Sequence, residues 1–250
     1  MKHICFFGDG VTQGLGDRHH MGWPERLAML ERTMRASAQG ACALDDGPAL
    51  VPYNLSVPWD TSADIALRWQ AEASARLQDH TQAGVVFNFG HGDMVDIDDD
   101  GVQVPLWDAA AYAESVICEA SLLWPVLWIG PTPVAGSGGF YQSGQRTYHL
   151  TCGRVQAIND AYGDIARRKG IPYLNLLALL DANPAWQEAM RGGTGLFPSA
   201  AGHQAVAGII HQWQPWRRWM DQGMGGGVAL RLRDLPPHTL LTPKMVAAGY

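Results

Sequence analysis

Three aspartates stand at or just beyond the ends of apolar, β-forming runs: Asp9 after HICFFG, Asp60 after PYNLSVPW, and Asp93 after VVFNFG, with His91 just before the last. Carboxylates grouped with an imidazole can hold a divalent metal or divide general acid and base roles. The plainer reading is that each aspartate caps a helix or accepts loop N–H bonds. FFGDGVTQGLGD (6–17) has the outline of a loop that presents a nucleophile. Gly10 stands where a hydroxyl would be needed and offers no atom to attack a substrate.

Other groups with chemical potential have bland counterparts. DIDDDG (96–101) matches the first half of a calcium loop, but the twelfth position is Trp107 rather than a bidentate glutamate, so a solvated acidic turn is expected. His19, His20 and His149 read as surface histidines. An alternative dyad would need His149 or His91 near Ser56, Thr12, Ser62 or Ser199, which spacing cannot establish. Ser199 and His203 would share a helix face, where a serine cap is the simpler role. Cys5 and Cys152 read as core thiols. Trp213 and WRRW (216–219) either form a contact surface or pack the last helix on the sheet. GSGGFYQSGQ (136–145) reads as a flexible Gly/Ser-rich stretch in which Phe140 and Tyr141 could line a pocket.

The elements that must position these residues alternate. Strands are expected at 3–9, 52–57, 84–90, 125–132 and 171–176, with helices over 23–38, 61–78, 109–123, 154–169 and 200–213. Thr61 or Ser62 is placed to cap the second of these helices. Such alternation predicts an α/β fold: a parallel sheet of about five strands covered on both faces. Ligands of such sheets sit beyond the carboxyl ends of the strands, here the loops 8–22, 57–62, 90–105, 131–150 and 191–202.

Those loops resemble the sequence blocks of the SGNH hydrolases, the GDSL-type esterases and lipases. FFGDGVTQGLGD with GWPERL is similar to the first block, YNLSVPWDTSADIALRW to the second and VVFNFGHGD to the third. VLWIGPTPV is similar to the fourth strand and its exit, and GTGLFPSAAGHQAVA to the last block. The resemblance spans about residues 1–215 and implies a three-layer α/β/α, flavodoxin-like fold.

It also implies an acyl-ester hydrolase whose serine, histidine, aspartate and oxyanion donors fall on unsuitable residues here. The serine position is Gly10, the oxyanion glycine Trp59 and the oxyanion asparagine Gly92; the aspartate is Thr194 and the histidine Phe197. The resemblance therefore implies a pseudohydrolase with no catalytic residue retained. Its pocket would be formed by Asp9, Gly10, Trp59, Asp60, His91, Gly92, Asp93 and Phe197. Two alternatives stay open: a hydrolase with a non-standard site using Asp9, Asp60, Asp93 or His91, and a structural subunit partnering an active relative.

The whole chain sets outer limits. It has 250 residues, 47% of them apolar, enough for one sizeable core. A formal charge of −6 gives no basic excess for nucleic acid. The four cysteines follow no CxxC spacing and suggest a reduced, cytoplasmic setting. The longest apolar run, 121–130, contains Pro125 and is too short for a membrane span. No cofactor and no metal are expected, and a small-molecule ligand or a protein partner is. Residues 1–220 read as one domain. Residues 221–250 read as a Gly-rich linker plus an extended arm that could mediate oligomerisation.

Overall fold

The structure is a computed structural model that describes residues 1–39 and 50–224. The arm expected beyond the linker therefore lies outside the described residues.

In chain order the first half contains β1 (Lys2–Gly8), α1 (Gly10–Gln13), α2 (Trp23–Gln39), β2 (Leu50–Asn54), α3 (Ser62–Leu77), β3 (Ala83–Asn88), α4 (His91–Met94) and β4 (Asp96–Ile97). There follow α5 (Leu106–Leu123), β5 (Val126–Ile129), β6 (Gly138–Ser143), β7 (Arg146–Thr151), α6 (Cys152–Lys169) and β8 (Tyr173–Leu174). The chain continues through α7 (Leu176–Leu180), α8 (Pro184–Arg191), α9 (Ala200–Gln212) and α10 (Gln214–Gln222).

All five expected strands form one parallel sheet, in the order β2-β1-β3-β5-β8. Ile4, Cys5, Phe6 and Phe7 are all fully buried, because helices cover both faces of the central strand. Helices α2, α9 and α10 pack together on one face, and α3, α5 and α6 on the other. Burial in the core pushes the Cys5 thiol up to about 12. Among the described residues no helix is long and apolar enough to cross a membrane.

At the carboxyl ends of the strands, Asn88 ties the layers together. Its Oδ1 accepts from Thr12 Oγ1 (2.8 Å) and Trp23 Nε1 (3.1 Å), while its Nδ2 donates to the carbonyl of Gly130 (3.0 Å). The loops after β1, β3 and β5 are thus fixed to one another beneath the site.

The last helix docks rather than standing free. Trp216 is fully buried, and a Cβ on Gly84 of β3 would meet the Trp219 ring at 2.9 Å. Buried Glu31 on α2 accepts from Trp216 Nε1 (2.7 Å), Arg217 Nη1 (2.8 Å) and His211 Nδ1 (2.9 Å). WRRW therefore closes the domain.

The expectation for 136–145 is corrected. This stretch forms most of a hairpin, β6 and β7, which with β4 makes a separate three-stranded antiparallel sheet in the order β4-β7-β6. Gly144, with φ +60°, opens its two-residue turn. His149, expected in a loop, lies in β7 opposite Phe140.

Candidate functional site

Asp9 and Gly10 follow directly on β1. Asp9 is the N-cap of α1: its Oδ1 accepts from Val11 N (3.3 Å) and its Oδ2 from His91 N (3.1 Å). One buried carboxylate thus joins the first loop to the third, as the capping role expected. A Cβ placed on Gly10 would lie 2.7 Å from Cε1 of Phe197 and 2.8 Å from Cδ1 of Leu15. The Phe197 ring occupies the space into which a side chain at position 10 would project.

Phe197 is held in turn by Thr194. The Thr194 hydroxyl accepts from Phe197 N (3.1 Å), and Thr194 N donates to the Phe197 carbonyl (3.0 Å). Thr194 thus shapes a tight loop that keeps the ring, 2% exposed, over Gly10.

Trp59 caps this arrangement. Its φ of +67° is a left-handed conformation that suits glycine, and the resemblance places a glycine at this position. An indole side chain thus stands on a backbone geometry that suits glycine. That indole stacks on Tyr148 (4.1 Å between centroids, 11°) and meets Phe197 edge-on (5.1 Å). Tyr141 closes the group at 5.4 Å from Phe197 and 5.8 Å from Trp59. Four aromatic rings from the second and last loops and from the β6–β7 hairpin therefore fill the region above Gly10. Phe140, expected to line a pocket with Tyr141, faces the other way: it is 64% exposed and stacked on His149 at 4.1 Å.

Gly92 cannot take the side chain that the resemblance implies. A Cβ there would collide with the main chain of Trp59 and Asp60, the carbonyl of Asp60 foremost. The second and third loops lie against one another at Gly92, with no room there for a side chain.

The acids are already engaged within the protein. Asp60 accepts from Arg68 Nε (2.7 Å); burial raises its carboxyl above the ordinary range, and Arg68 opposes the shift. Asp93 is fully buried. Its Oδ1 accepts from Ser62 N (2.9 Å) and Ser62 Oγ (2.7 Å), and Tyr162 OH lies 3.4 Å from Oδ2. Burial pushes its carboxyl up to about 6, against the Ser62 bonds. Asp9 is raised as well, through burial, with His91 acting in the opposite sense. His91 Nε2 donates to the carbonyl of Thr132 (2.8 Å), which leaves Nδ1 as the acceptor in the neutral ring. Among the described residues no three His, Cys, Asp or Glu side chains are grouped as metal ligands.

The remaining candidates stay apart from this centre. Asp96 of the acidic turn accepts from Gly101 N (3.1 Å) and pairs with Arg154 (3.4 Å); it is mostly buried, unlike the solvated turn expected, whereas Asp98, Asp99 and Asp100 are exposed. His203 Nε2 donates to the Leu15 carbonyl (2.9 Å), and burial holds its imidazole below the usual range. Ser199 occupies the N-cap of α9 but makes no capping bond with its side chain. The capping reading of Thr61 holds, in a capping box with Asp64. Cys152 is corrected from core thiol to first residue of α6, where Sγ donates to the Gly136 carbonyl (2.8 Å) and burial raises the thiol. Tyr148 is the site residue that sequence reasoning missed. Its signal was the alternation of apolar and polar residues in RTYHLT just after the Gly144–Gln145 turn.

A parallel sheet with loops converging at its carboxyl ends, the first carrying GDG, defines a doubly covered α/β protein. Residues 6–205 match the model of the GDSL-like lipase/acylhydrolase family, and the chain belongs to that family. No curated protein matches it in sequence. Among solved structures it is similar to a lipase/acylhydrolase from Enterococcus faecalis, at 17% identity and a TM-score of 0.63, covering 91% of this chain and 100% of that one. It is also similar to an acetyl xylan esterase, at 17% identity and a TM-score of 0.57, covering 83% and 97%. An aryl esterase from M. smegmatis gives 14% identity and a TM-score of 0.56, covering 85% and 97%. At these identities the likeness is one of fold.

Proposed function

We propose that this member of the GDSL-like family has given up acyl-ester hydrolysis at the family site and acts as a pseudohydrolase that binds a ligand or a protein partner. The observation that carries the reading is the Phe197 ring lying where a side chain on Gly10 would go. A missing nucleophile alone would leave an open pocket. Here the position of the lost base supplies the group that fills the position of the lost nucleophile, and Trp59, Tyr141 and Tyr148 pack around it. Acyl transfer by nucleophilic catalysis needs a nucleophile, a base within hydrogen-bond reach and room for a tetrahedral centre. Gly10 and Phe197 supply none of these.

The test is hydrolysis of short-chain aryl esters by the purified full chain, against buffer and heat-denatured controls. The expected result is no turnover above the controls. Activity that follows the protein peak through chromatography overturns the reading. If that activity is also lost in a folded Asp93→Asn variant, chemistry based on the buried acids takes its place.

A further inference from the structure

Far from the site, at the amino ends of the strands, two imidazoles lie face to face. The rings of His3 and His80 are 3.5 Å apart between centroids and 4° from parallel. His3 belongs to β1, and its backbone is fixed by pairing with Val51 on one side and Ala83 on the other. His80 is exposed and sits in the turn between α3 and β3. His3 Nδ1 is 3.1 Å from the Tyr53 hydroxyl of β2, so that nitrogen is already engaged.

This turn is also a junction. The main-chain carbonyl of Gln82 accepts from His3 N (2.8 Å), while its side-chain Oε1 accepts from Met224 N (3.2 Å) just beyond α10. The residue that seats the turn on β1 therefore also seats the end of the last helix.

We propose that the His3–His80 stack is a proton-sensitive latch which holds the 78–82 turn on β1 when the rings are neutral and releases the turn, with Gly223 and Met224, when both are protonated. Neutral rings stack favourably, and one charged ring over a neutral one is tolerated. Two cations at this separation repel strongly even in partly aqueous surroundings. The described charged and titratable groups next to the pair are the amino terminus and the Tyr53 hydroxyl of β2, with Lys2 and Asp79 adjoining the two histidines in the chain. The amino terminus adds to the repulsion. Burial, then His80, then the amino terminus hold the His3 imidazole below its usual range. A histidine lowered in the folded state contributes stability above pH 6.5 and loses it as the pH falls below that value.

Hydrogen exchange of the full chain, corrected for the intrinsic pH dependence of exchange, tests the latch between pH 7.5 and 5. In the unmodified protein, protection in peptides covering 78–84 and 219–224 should fall at least tenfold on acidification relative to peptides from β5. In His80→Ala, whose side chain is exposed, and in His3→Gln, both peptides should respond to pH no more than β5 does. The proposal is overturned if the unmodified protein shows no selective loss, if loss is uniform over the chain, or if either variant retains it.

Discussion

Gly10 and Phe197 could each be singled out in the sequence, but their contact could not, because 187 positions separate them and no local pattern encodes the approach. Contact makes them one unit. Gly10→Ser would place its Cβ against the Phe197 ring, and overpacking of a filled core costs about 1–3 kcal/mol. Phe197→Ala would leave a cavity and cost about 3–5 kcal/mol. In the double variant the serine enters the space that the ring vacates, so the two losses should sum to more than the observed one. Urea denaturation of the four proteins should give a coupling energy of at least about 0.5 kcal/mol favouring the double variant. Strict additivity would show that the ring does not occupy that space in solution. Ester hydrolysis should appear in neither Gly10→Ser nor the double variant, because position 197 carries no imidazole in either.

At the scale of elements, Glu31 carries the docking of α10. Its Oε1 gathers an indole, a guanidinium and an imidazole from α9 and α10, so Glu31→Ala leaves three donors without their shared acceptor. The expected cost is about 2–4 kcal/mol, and cleavage by trypsin after Arg217 and Arg218 should quicken well ahead of cleavage elsewhere. Glu31→Gln retains an acceptor and should fall between the two. Unchanged cleavage in Glu31→Ala would mean that Trp216 and Trp219 hold the helix without it.

The parallel strands were more legible in the sequence than α10, where no separate helix was expected after 213, or than the hairpin. Each strand of the parallel sheet is a short β-rich run between helical segments; β3 and β5 are buried throughout and β1 over most of its length, whereas the edge strands β2 and β8 are only partly buried and were legible from their place in the alternation. The hairpin was not, because one of its faces meets solvent. Gly138, Gly139, Ser143 and Gly144 make β6 look like a loop, although Tyr141 and Tyr148 alternate with exposed residues and face the site. Its cover over Gly10 is a tertiary fact: Tyr148 means little until the left-handed Trp59 is seen to lay an indole against it.

Over the whole molecule, three acids beneath the site bias stability toward mild acid. Asp93, Asp9 and Asp60 all have carboxyls raised by burial, so the folded state holds protons that the unfolded chain would release. Their contribution is fully present below about pH 4 and is lost as the pH rises through the folded values. For Asp93, the window runs from the unfolded value of 3.8 to about 6. His3 and His203 act in the opposite sense, so the curve of the unmodified protein mixes the two. Asp93→Asn separates them. An asparagine Oδ1 can keep both Ser62 bonds, and its amide can donate to the Tyr162 hydroxyl, so the fold is retained while the ionisable group is gone. At pH 7.5 the variant should be at least as stable as the unmodified protein; at pH 4 that relative advantage should have disappeared. The full swing is on the order of 3 kcal/mol, the free energy of the shift itself. Urea midpoints at pH 4, 5, 6 and 7.5 read it directly. A variant that loses the same stability at every pH would place the value of Asp93 in its hydrogen bonds to Ser62 and Tyr162, with no proton held by the folded state between pH 4 and 6.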